Sequence, residues 1–161
     1  MTRTQRITYL FGSITLWTLV LFGLVGVTLV VPIVSDSLAK QFTEYANERW
    51  TIQALLSAPV ILGIFLILEI LLLLKLAKSD EMFSKSVFKW VRLLAGTGLA
   101  LAASIAAIGI WLSYKNTLPP LVFLILVGSF LLVTAVSLVT MTLFGLLKHA
   151  TSVSEELEGV I

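Results

Sequence analysis

Glu69 is the only charged residue that stands well inside one of the chain's four long apolar runs, and it is where a search for chemistry begins. Counting back from Lys75 at the helical rise puts it roughly 9 Å inside the nearer membrane boundary, in one leaflet and not at the midplane. That depth weakens a transport reading. A carboxyl group in hydrocarbon is costly enough that it should be protonated, paired or turned towards hydroxyls on neighbouring helices. At comparable depth the other runs offer Ser13, Thr15, Thr97, Thr140 and Thr142. The site predicted from these residue types is therefore Glu69 with Thr97, Thr140, Thr142 and Thr15. It could be a hydrogen-bonded acid that fixes helix register, or a proton-linked or ligand-binding group.

Other chemistry is sparse. The chain has no cysteine, which excludes disulfides, thiol catalysis, thiolate metal sites and S-palmitoylation. The single histidine, His149, follows Lys148 at the end of the last apolar run, where its partial charge complements a helix C-terminus. No nucleophile–base pair, metal-ligand spacing, phosphate-cradling glycine loop or nucleotide motif is present, so no catalytic residue, metal or cofactor is expected and the chain does not read as an enzyme.

The elements that position Glu69 follow from composition. Of the 161 residues 58% are hydrophobic and 12% charged, with a mean hydropathy of +1.05, far from soluble averages. This predicts an all-α integral membrane protein, a four-helix bundle forming a single transmembrane domain over 1–161, with spans at about 8–34, 51–74, 93–113 and 121–147. The first run, Thr8 to Val34, is 27 uncharged residues, too long for the core of a signal peptide, and no A-x-A-like cleavage site follows it. Gly23 and Gly26 could admit a neighbouring helix closely, Pro32 lies near the far end of the run, and Trp17 is deep enough to read as a packing residue. The third run is rich in small residues: Gly96, Ala100 and Ser104 are four apart, as are Ala102 and Ala106, and Ala103 and Ala107. It is expected to be the most buried span. Pro119 and Pro120 close the turn before the fourth.

Orientation comes from the basic residues. Arg3, Arg6, Lys75, Lys78, Lys85, Lys89, Arg92 and Lys148 fall on one side and Lys40, Arg49 and Lys115 on the other, which predicts a multi-pass protein with both termini and the central loop cytoplasmic. The net charge of +2 is thereby a topology signal and not a footprint for nucleic acid, and no direct nucleic-acid binding is expected. Outside, Ser35 to Trp50 carries Leu38, Phe42, Tyr45 and Ala46 at helical spacing, predicting a short amphipathic helix that rests on the membrane or receives a ligand. Inside, Lys75 to Arg92 predicts a short helical elbow, with Ser84 placed to N-cap a helix that runs into the third span. Lys78, Lys85 and Lys89 would sit against anionic headgroups. Lys78, Phe83, Ser84, Lys85, Lys89 and Arg92 together form the candidate contact surface for a protein partner.

The run Met82-Phe83-Ser84, followed by Lys89 and Val91-Arg92 leading into an apolar helix, resembles the Phe-Ser/Thr…Leu-Arg signature of a bacterial four-helix membrane family, domain of unknown function 2975. Members often carry Pro where Met82 stands and Asn where Val87 stands. The resemblance implies a small protein of the bacterial inner (cytoplasmic) membrane, in some members associated with a small helix-turn-helix regulator, and it implies no activity. The resulting expectation is a non-enzymatic membrane protein acting through protein contacts, as a regulator, immunity-type protein or accessory subunit, embedded in the lipid bilayer and able to form a homo-oligomer. The competing expectation is a small transporter or ligand-binding bundle built on Glu69 and the nearby hydroxyls.

Overall fold

Long apolar runs become helices longer than the bilayer requires, and they carry Pro32 and Pro59 within them. The computed structural model describes residues 3–42, 45–78, 85–116 and 118–158, with side chains described at 7, 9–42, 45–76, 87–116 and 118–146. Its elements are α1 (Arg3–Val25), a π-helical turn (Gly26–Val30), α2 (Val31–Gln41), α3 (Arg49–Lys78), α4 (Lys85–Tyr114) and α5 (Pro120–Glu158). Four stretches are long and apolar enough to cross a membrane: Tyr9–Gln41, Arg49–Leu76, Val87–Tyr114 and Pro120–Leu146. The predicted all-helical membrane architecture is what the chain adopts.

The first crossing runs on through α2. In place of a separate helix over 35–50, residues 35–41 extend it, 45–48 form a tight turn, and α3 begins at Arg49. The reason is local. Ser35 and Asp36 do not cap a new helix: the Ser35 hydroxyl donates to Val31 O at 2.8 Å inside a continuing one, and Asp36 pairs with Lys40 at 2.5 Å, one turn ahead. Pro32 leaves its mark upstream of this. It has no N–H to donate, and just before it the ladder slips to the wider register in which Val31 N–H bonds Gly26 O. The chain then leaves the helix at Phe42, whose backbone is extended, and turns through Tyr45 N–H to Phe42 O and Glu48 N–H to Tyr45 O bonds.

The elbow residues 79–84, including the predicted cap Ser84, lie outside the described residues, but α4 is already helical from Lys85 and continuous into the third span. At its other end Asn116 takes a left-handed conformation (φ 55°) that terminates the helix, and Pro120 occupies the first helical position of α5.

The bundle is open. Among the described residues the main contacts join α1 and α2 to α3, α3 to α4, and α4 to α5, so the crossings stand in a row in chain order. Its interior is correspondingly thin: among the described residues Val20, Val31, Ile52, Ala95 and Ala102 are the buried aliphatic ones, and Ser35, Glu69 and Ser137 the buried polar ones. α4, flanked on both sides, is the most buried crossing. The face that does this carries Ala95, Gly98 and Ala102, while Gly96, Ala100, Ala103 and Ala107 point outward. Close approach is built at two glycines. A Cβ on Gly98 would fall 2.1 Å from Ser137 Oγ of α5, and one on Gly23 would fall 2.7 Å from Ile64 of α3. Trp17 is 55% exposed, so it points away from the neighbouring helices and is not the packing residue its depth suggested.

Candidate functional site

Glu69 sits where α3 crosses α4, one turn and a half before α3 reaches Lys75. It is 7% exposed, and Thr97 Oγ1 on α4 donates a 2.8 Å hydrogen bond to its Oε1. Its other oxygen, Oε2, is buried with no hydrogen-bond partner among the described residues. No ion pair among those residues reaches it. The carboxyl therefore ties the two central helices together through one oxygen and leaves the other without a hydrogen-bond partner among the described residues.

The remaining hydroxyls predicted for this site are spent elsewhere. Thr15 donates to Phe11 O at 2.9 Å, Thr140 to Val136 O at 2.8 Å and Thr142 to Leu138 O at 2.9 Å, each within its own helix. The structure thus brings together Glu69 and Thr97 and leaves the other three apart. Two polar groups not predicted for the site lie on α5: Ser137, seated on Gly98 and donating to Val133 O, and Thr134, whose Oγ1 is buried without a partner among the described residues. The fourth span carries Ser129, Thr134, Ser137, Thr140 and Thr142, and which of them face inward is decided by the position of α4.

A second polar cluster closes the end at which α2 meets α3. Asp36 Oδ1 lies 3.4 Å from Arg49, and Glu48 Oε1 accepts from Lys115 Nζ at the far end of α4. Beneath them Tyr45 is 6% exposed and stacks on Trp111 with ring centroids 5.4 Å apart, with Phe42 edge-on to it at 5.9 Å. Of the predicted stripe, then, Tyr45 turns inward, Leu38 is half-buried and Phe42 is exposed. The hydrogen bond to Glu48 is the main cause holding the Lys115 ammonium above the ordinary lysine value of 10.5, aided by the Glu48 charge and opposed by partial burial.

At the opposite end Lys75, Lys89 and Arg92 are exposed at the helix ends. The side chains of Lys78 and Lys85, and all of Phe83 and Ser84, lie outside the described residues. Two apolar cavities open between α4 and α5, one of about 380 Å³ near Ile110 and Phe123 and one of about 210 Å³ near Arg92 and Phe144. Neither touches Glu69.

A family model described as a protein of unknown function, DUF2975, matches residues 33–161, from the third residue of α2 to the end of the chain. No curated protein and no solved structure matches.

Proposed function

From the premise that this chain belongs to the DUF2975 family, whose description supplies no activity, we propose that it is a non-enzymatic membrane protein that works by docking another membrane protein. The observation that carries this reading is the open row. In lipid, helices gain by packing on one another and not by leaving water, so a row that ends in an unmatched α5 leaves a long helix face for another protein's helix. The excess of Lys and Arg on one side supports a cytoplasmic position for both termini and for the basic ends of α3 and α4, within reach of a cytoplasmic regulator. Photocrosslinkers at Leu132, 67% exposed on α5, and at Phe22, 73% exposed on α1, test the reading in native membranes. It expects one protein adduct of reproducible mass from Leu132. Adducts to lipid alone at both positions would sink it.

A second reading rests on the partnerless Oε2 of Glu69, which gives a proton-linked or ligand-binding site at the α3–α4 crossing. Glu69→Gln keeps an acceptor for Thr97 and removes only the titratable group. Loss of proton-linked uptake or of ligand binding with unchanged thermal unfolding would favour this reading over the first.

A further inference from the structure

The smaller cavity between α4 and α5 differs from an ordinary lipid-facing groove in what lines it. Val91, Ala95, Met141 and Phe144 make it apolar, Gly145 leaves room beside the α5 backbone, and Arg92 completes the lining. Phe144 is held in place by an edge-on contact with Phe88 of α4, ring centroids 5.1 Å apart. A Cβ on Gly145 would meet nothing within 4 Å, so the room there is real space and not a site of close packing. Arg92 is exposed, and no carboxylate among the described residues pairs with it.

We propose that this cavity holds one anionic phospholipid, its phosphate on Arg92 and the upper part of an acyl chain between α4 and α5. The position is right for that ligand: Arg92 stands near the start of the third crossing, which begins at Val87, at the level where an apolar span gives way to headgroups. A guanidinium presents a planar fork of donors that matches phosphate oxygens in pairs, which an ammonium does not. Basic pockets between transmembrane helices are suited to anionic headgroups for this reason. Lys89, three residues earlier on α4, is exposed but takes no part in the lining, so it supplies only diffuse attraction. Charge selects the headgroup; the slot fixes the lipid in place.

Native mass spectrometry of the full chain in mild detergent, titrated with phosphatidylglycerol or phosphatidylethanolamine, tests the proposal. One phosphatidylglycerol should be retained with a preference of about fivefold or more over the zwitterionic lipid. Arg92→Gln should abolish the preference, and Lys89→Gln should keep it. Gly145→Leu is the decisive variant, because it fills the slot and leaves every charge in place; Met141→Trp fills it from one turn away. Both should lose the retained lipid while helicity and elution stay native. Equal retention of the two lipids, or full phosphatidylglycerol binding in natively folded slot-filling variants, overturns the proposal. Equal losses in Lys89→Gln and Arg92→Gln with the slot-filling variants unaffected would reduce the site to headgroup attraction, which also overturns it.

Discussion

Thr97 Oγ1 reaches across from α4 to Glu69 Oε1 on α3 at 2.8 Å, and that bond is the polar tie between the two central helices of the row. Removing the donor leaves a buried carboxyl with no partner on either oxygen, at a cost of about 1–3 kcal/mol. Thr97→Val should therefore lower the thermal midpoint in detergent, and Thr97→Ser, which keeps the hydroxyl, should restore most of it. Equal midpoints for the valine and serine variants would show that the bond is not holding the helices.

At the α4–α5 contact the critical feature is a missing side chain. Gly98→Ala forces a methyl group onto Ser137, whose Oγ and Cβ would lie 2.1 Å and 3.2 Å away, so overpacking of about 1–3 kcal/mol is expected. Ser137→Ala removes the nearer atom. In a double-mutant cycle by thermal unfolding, the pair Gly98→Ala and Ser137→Ala should cost less than the sum of the two single changes.

The Lys115–Glu48 bond predicts a pH window. Because the folded ammonium titrates above its unfolded value of 10.5, its contribution is complete below that pH and is lost as pH rises through the folded value. Trp111, which stacks on Tyr45 beside this pair, should report the loss. Its fluorescence in a protein lacking the other tryptophans should be flat from neutral pH to about 10 and change only above that. Strong salt should weaken the exposed part of the cluster, chiefly Asp36 with Lys40.

Trp17 is large, and its loss from an interior would cost about 3–5 kcal/mol. Exposed to 55%, it should instead tolerate Trp17→Leu within about 0.5 kcal/mol, read as an unchanged thermal midpoint.

How these features related to the sequence depended on whether depth or azimuth decided them. Apolar run length and charge placement give the four crossings, because both act along the membrane normal and need no knowledge of neighbours. The Glu69–Thr97 pairing was legible in the same way, as two groups at one depth on adjacent spans. Depth alone also selected Thr15, Thr140 and Thr142, which sit at suitable heights but are satisfied by carbonyls of their own helices. The packing face of α4 shows the same limit. A four-residue spacing of small residues exists on several faces, and only the positions of α3 and α5 select Ala95, Gly98 and Ala102 over Gly96 and Ala100. The extension of the first crossing to Gln41 was hidden by its polarity, since a helix that projects beyond the bilayer has no further need of an apolar surface.

The open row bears on how the protein comes into being. Because the main contacts of each crossing among the described residues are with the one before and the one after it, the main interhelical contacts can form as soon as the next segment has entered the membrane. Stability then resembles a chain of nearest-neighbour couplings, as in repeat proteins, more than a single all-or-none closure. Loss of α5 would strip one interface and leave the pairing of α3 with α1, α2 and α4 in place.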